Sequence, residues 1–241
     1  MATQEDATFD ELAEDVGDDR ARRGGVVRAV VYGVAALALL LVGAAVGMLV
    51  TAAVGPESGT PSAESVDVGF LQDMRAHHLQ AVTMAGIARE RSADTAVQAM
   101  AFDIEGGQLT QVGMMTGWLD LWGRSAFADP GQHLVWLPGA AGHDTHDGSG
   151  GGVAAMPGMA TTEELGRLRS LSGPGFDVYF LQLMLRHHQG GLPMARYAAE
   201  HAGVGAVRNL ASKIVRAQEH ENRVMTDMLG DRGAAPLPPP N

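Results

Sequence analysis

Two stretches of the chain carry their apolar residues three and four positions apart. In "DVGFLQDMRAHHLQAVTMA" (67–85), a helical wheel centred on Met74 places His77 and His78 on either side of it. Asp67, Phe70, Ala81, Ala85 and Ala88 share that arc, and Met84 lies at its edge. A shift of 110 residues, without a gap, lays this stretch on "DVYFLQLMLRHHQGGLPMA" (177–195). Its face is Asp177, Phe180, Met184, His187, His188, Gly191, Met194, Ala195 and Ala198. The register then continues: Ala101, Ile104, Gln108, Met115 and Leu119 fall on Ala211, Ile214, Gln218, Met225 and Leu229. The chain is therefore an internal repeat. Each copy predicts a helical hairpin, 63–91 with 94–120 and 176–201 with 204–229, with breaks at "RSAD" and "HAGVG". Two hairpins make an all-α four-helix bundle over residues 63–230.

The hairpins are joined by a long connection, 122–175, that contains "GHDTHDGSGGGVAAMPGM". Unstructured connections beyond about 15 residues are uncommon unless they have a function or are disordered. Thr161 and Glu164 have capping-box spacing ahead of Leu165, Leu168 and Leu171, which predicts a short helix ended by "SGPG". Gly106, Gly107, Gly113 and Gly117 weaken the second bundle helix by propensity. Pro193 interrupts the hydrogen-bond ladder of the third.

Ahead of the bundle runs "AVVYGVAALALLLVGAAVGMLVTAAV" (29–54), without a charge. As a helix it spans about 39 Å, against a hydrocarbon core of about 30 Å. Arg20, Arg22, Arg23 and Arg28 precede it, and no Lys or Arg follows until Arg75. The positive-inside rule then gives a single-pass membrane anchor over 26–54, with the N-terminus cytoplasmic and everything after it outside. A cleaved signal peptide is the rival, although its apolar region is usually about 7–15 residues long. Residues 1–25, rich in acidic side chains, read as a disordered cytoplasmic tail, 55–62 as a linker and 231–241 as a disordered C-terminal tail.

Composition narrows the chemistry. The formal net charge of −11 argues against nucleic acid. There is no cysteine, so disulfides and Cys-based zinc sites are excluded, and any soft ligand must come from thirteen methionines. All nine histidines lie beyond residue 70. Imidazole suits copper, zinc, iron and nickel, and a thioether selects Cu(I). A set of Met74, His77, His78 and Met84, repeated as Met184, His187, His188 and Met194, therefore offers donors to both copper oxidation states. Gln108, Gln111 and Met115 on the second helix, and Gln218, Glu221 and Met225 on the fourth, face the same way. Polar groups at matching heights in a core imply a satisfied network or a bound ion. Asp67, Asp177, Gln111, Glu221, Met115 and Met225 are secondary candidates, as are His143, His146, Met156 and Met159 in the connection. His133, His201 and His220 have no evident partner in the sequence. No Glu-x-x-His motif occurs, which disfavours a di-iron carboxylate site. No nucleophile triad, phosphate loop or acid/base carboxylate pair is apparent, so no enzyme is expected.

"FLQDMRAHH…MA" with "Q-x-x-Q-V-x-x-M-x-x-W-L", and "FLQLMLRHHQGGLPMA" with "Q-x-x-E-N-x-x-M-x-x-M-L", resemble the domain of unknown function 305 family, as does "MPGMATTEEL". The resemblance covers about 62–230 and implies a ferritin-like bundle, secreted or membrane-anchored, with some members tied to copper binding and resistance. It also implies a glutamate where this chain has Gln111, whereas Glu221 keeps it, so the second repeat is the one expected to bind more tightly. The resulting expectation is a membrane-anchored, extracytoplasmic protein that binds copper, Cu(I) or Cu(II), or another transition metal, and no nucleic acid. Two other readings stay open: a structural or interaction bundle whose His/Gln/Glu network holds no metal, and a redox enzyme using the metal. Self-association of the bundle is left open, and no protein partner is named.

Overall fold

The structure, a computed structural model, describes residues 25, 28–49, 60–139 and 152–238. The expected N-terminal tail (apart from Gly25), most of the linker, and His143 and His146 lie outside the described residues. Two compact units divide the chain, residues 1–58 and 59–241. In the first, α1 (Arg28–Leu49) is a 22-residue helix with every side chain exposed, long and apolar enough to cross a membrane. The second unit holds α2 (Val66–Arg91), α3 (Thr95–Leu121), α4 (Thr162–Ser170), α5 (Gly173–His201) and α6 (Gly205–Asp231).

Local chemistry sets the helix ends. Ser65 caps α2 by accepting from the Val68 amide, and Asp94 caps α3 by accepting from Ala96 and Val97. Thr161 and Glu164 form the reciprocal capping box of α4, as their spacing predicts. Two helix starts differ from expectation by three residues. Residues 63–65 form a turn ahead of α2, because the Ser65 cap starts the helix at Val66. "SGPG" ends α4 but also begins α5, with Pro174 in its first turn, where a missing N–H costs nothing. Pro193 does not end α5, which runs through it to His201.

α2 packs along α3, and α5 along α6; the two hairpins meet through α2 and α5, with α4 against α5. The polarity of that meeting can be read from two carboxylates. Asp67, at the start of α2, accepts from the Gly203 and Val204 amides in the turn after α5. Asp177, at the start of α5, accepts from the Ser92 hydroxyl in the turn after α2. Each helix start thus holds the other hairpin's turn, so α2 and α5 run antiparallel and the repeats are related by an approximate two-fold.

The core is split in two. One apolar cluster gathers Met84, Ala88, Ile104, Phe180, Met184 and Leu229, among others. The other gathers Phe70, Met74, Leu119, Met194, Leu210 and Ile214. Every bundle helix contributes to both, and on every one polar side chains lie between the two contributions: His77 and His78, Gln108 and Gln111, His187 and His188, Gln218 and Glu221.

The connection is ordered where it touches this frame. His133 pairs with Val153 in an isolated bridge, and Leu134, Trp136, Met156 and Ala160 are buried. Its anchor is Asp73, 1% exposed, which accepts from His133 Nδ1 (2.6 Å), the Leu134 amide (2.8 Å) and Trp136 Nε1 (2.7 Å). The second repeat has Leu183 at that position. Trp136 lies on Gly69, where an added Cβ would come within 2.3 Å of the indole. Replacing Asp73 with alanine strands three donors, and removing a buried acceptor costs about 1–3 kcal/mol per group left unpaired. The variant is expected to lose about 2–4 kcal/mol in urea unfolding, with a red-shifted tryptophan emission as Trp136 leaves its site; an unchanged midpoint would show that the loop is not held by Asp73.

Candidate metal centre

His77 and His187 face each other where α2 crosses α5, with ring centroids 3.8 Å apart and planes tilted by 35°. His188 lies beside His187 at 6.1 Å. All four motif rings are fully buried. Each spends its Nε2 on an oxygen: His77 on the Pro157 carbonyl (3.2 Å), His78 on Gln111 Oε1 (2.6 Å), His187 on the His77 carbonyl (3.0 Å) and His188 on Glu221 Oε2 (2.6 Å). A carbonyl or carboxylate oxygen only accepts, so Nε2 is the protonated nitrogen and donates in every case. In the neutral ring, Nδ1 then presents a lone pair. None of the four Nδ1 atoms has a hydrogen-bond partner, although all are buried.

Burial keeps three of these rings uncharged. Burial lowers the pKa of His77 to about 4, against the opposing bond to Pro157, and the neighbouring His188 lowers it further. Burial lowers His78 to about 3, with the Gln111 bond opposing and His77 and His188 adding to the fall. His187 lies well below the ordinary value, first through burial and then through the charges of His77, His188 and His78. At neutral pH these three rings are Nε2–H tautomers with an open Nδ1, the form in which imidazole binds a metal.

The flanking residues sort by height. Met74, Met115, Met194 and Met156 belong to the apolar cluster on one side of the histidines, and Met84, Met184 and Met225 to the cluster on the other. Each methionine group therefore mixes both repeats, because the antiparallel crossing sets Met74 on the same side as Met194, not Met84. Met159 packs against the first cluster. Asp67 and Asp177 sit ten residues from His77 and His187, about 15 Å along the helix, and hold turns instead. His133 belongs to Asp73, and His201 stacks on Tyr197 at 4.0 Å. His220 is exposed.

Several contributors are not evident from residue pattern. Residues 156–160 lie across the site as a strap: Pro157 accepts from His77, and the Gln80 amide grips both N–H and C=O of Ala160. An added Cβ on Gly190 would lie 2.1 Å from the Pro157 oxygen, and one on Gly158 would lie 2.6 Å from the Arg186 oxygen. The signal was present in the repeat, since Gln80–Ala81 on one helix answers Gly190–Gly191 on the other. Among the described residues no three His, Asp or Glu side chains already surround one point. A complete ligand set would therefore need sulfur or amide donors as well.

The profile of a family described as a domain of unknown function, DUF305, matches residues 67–229. The chain belongs to the DUF305 family. A DUF305 protein from Streptomyces coelicolor is 41% identical over 73% of this chain and 99% of its own, with a TM-score of 0.64. A DUF305 fragment from Deinococcus radiodurans is 30% identical over 69% of this chain and 96% of its own, with a TM-score of 0.56. CopM in its Cu(I)-bound form shares the fold at 21% identity, covering 68% of this chain and 96% of its own, with a TM-score of 0.52. No match is found among curated proteins. In this DUF305 chain the paired histidines of both repeats meet in one layer.

The depressed histidines make stability depend on pH. Above the unfolded value of about 6.5 both states are neutral and the full stability is present. As pH falls below it the unfolded chain takes up protons that the folded rings refuse, until about pH 4 for His77. That residue alone accounts for a loss on the order of 3 kcal/mol across this window. Urea midpoints of the metal-free protein are expected to drop from pH 7.5 to pH 4.5, and to drop less in His77→Asn. Identical pH profiles would show that the ring is not buried in its neutral form.

Proposed function

We propose that the protein binds copper within the buried histidine layer and serves copper buffering, tolerance or delivery outside the cytoplasm, anchored to the membrane by α1. The observation that carries this is the set of four buried Nδ1 atoms without a hydrogen-bond partner. An unpartnered buried polar atom costs about 1–3 kcal/mol, and a core that keeps four of them at one level gains by offering them to a cation. Nitrogen acceptors suit Cu(II), and the methionine groups on either side of the layer offer thioethers to Cu(I). The solved Cu(I)- and Cu(II)-bound forms of CopM, which shares this fold, support the choice of copper. Glu221 against His188, where the first repeat places Gln111 against His78, adds a negative charge to one half of the layer. A carboxylate behind a ligating imidazole raises its basicity, so His188 is a stronger donor than its equivalent His78.

For the anchor, the support is the length and apolarity of α1 together with the arginines before it. N-terminal sequencing and protease protection of membranes should find an uncleaved chain whose bundle is digestible only from outside; a mature N-terminus near residue 55 would make α1 a signal peptide. For the metal, the full-length protein in detergent is expected to bind copper, and the variant with His77, His78, His187 and His188 all changed to alanine to bind none while remaining helical. Equal uptake by that variant removes the histidine layer from the assignment.

A further inference from the structure

Two more polar side chains sit in the histidine layer without a partner. Gln108 is 4% exposed and Gln218 is 2% exposed, and neither the amide nitrogen nor the amide oxygen of either is hydrogen-bonded. They are equivalent by the 110-residue repeat, yet their surroundings differ. Beside Gln218 the chain has Gly191, and an added Cβ there would lie 3.1 Å from Cε1 and 3.4 Å from Nδ1 of His77, and 3.2 Å from Oε1 of Gln218. The glycine thus leaves clear a space that the open edge of His77 and the amide oxygen of Gln218 both border. In the first repeat the same position is Ala81. One turn further along α6, Asn222 has another buried oxygen without a partner, where the first repeat has Val112.

Gly191 lies in the middle of a buried helix and makes no turn there, so backbone conformation gives no reason for it. Glycine in a helix interior is unfavourable relative to alanine, and a buried amide without a partner is unfavourable too. Both liabilities meet at one place, and it is there that a neutral imidazole has its lone pair. An amide oxygen beside an imidazole nitrogen is a donor pair suited to Cu(II).

We propose that Gln218 is a ligand of the first copper ion to bind, its amide oxygen and Nδ1 of His77 holding the ion in the space that Gly191 keeps open. The donors come from opposite hairpins, α2 and α6, so the ion joins the two repeats. The amide supplies a donor beyond the histidines and carboxylates, which among the described residues do not surround one point on their own. The role rests on the copper binding proposed above and adds to it a site, an order of filling and a neutral oxygen ligand.

The test uses the full-length protein in detergent, with Cu(II) ions alone as the probe, dissociation constants from competition against a chromophoric chelator, and metal-free melting by circular dichroism. Gly191→Ala, which removes no donor, and Gln218→Leu are each expected to weaken the first ion tenfold or more. Gln108→Leu is expected to leave it within twofold, and Gln218→Glu, which keeps an oxygen there, to bind at least as tightly as wild type. The metal-free Gln218→Leu protein should melt higher, since an unpartnered amide has gone. If Gln218→Leu instead melts lower and binds copper like wild type, the amide merely closes on His77 and the proposal fails. If Gly191→Ala melts well below wild type, the copper affinities of Gln218→Leu and Gln218→Glu decide between the same two outcomes. Wild-type affinity in both Gly191→Ala and Gln218→Leu, with none in the four-histidine variant, overturns this site and leaves the histidine layer standing. Absence of copper binding in the wild type overturns both.

Discussion

The crossing of α2 and α5 at His77 and His187 is the constraint on which the rest depends. Rings 3.8 Å apart require close helix axes, and the bond from His187 to the His77 carbonyl ties one ring to the other helix's backbone. That contact sets the antiparallel order of the hairpins, so that Asp67 and Asp177 reach each other's turns. It also places a polar stratum through the middle of an otherwise apolar core. Such a stratum is costly unless its polar atoms are matched. One nitrogen of each ring is matched within the protein and the other is not, and this asymmetry gives the layer its chemical character.

The two repeats share a buried register but have diverged around it. The first repeat has Asp73, which clamps the loop through His133, Leu134 and Trp136. The second has Gly190 and Gly191, the first admitting the strap at Pro157 and the second leaving space beside His77. The approximate two-fold is thereby broken at the layer itself: His77 is roofed by the strap, whereas His187 is roofed by a helix backbone. Gln111 against Glu221 adds a difference in charge to that difference in cover. A duplicated motif need not give duplicated sites, because only the ligand letters are copied and the packing around them is not.

α4 and the strap show how a long connection is made part of the site. Glu164 caps its own helix and takes both terminal nitrogens of Arg186 at 2.8 and 2.6 Å, fixing α4 to α5 one residue before His187. Gln80 grips the strap on its other side. The segment between them is held at both edges against the histidines, and Met156 is brought into the cluster that contains Met74 and Met194.

Much of this was open to reading along the chain. The helical period and the 110-residue repeat determined four bundle helices, their buried faces and the facing pairs of histidine and glutamine, because side-chain direction on a helix follows from sequence spacing alone. The capping box of α4 was legible for the same local reason. Tertiary structure decided what each of those faces meets. Which methionines share a side, which atom answers each imidazole nitrogen, that Asp67 and Asp177 hold turns, and that Gly191 leaves room at His77 all follow from the hairpin crossing. Such contacts join residues from 33 to 137 positions apart, and no local spacing encodes the rotation and offset at which two helices dock; the packing of the whole core does.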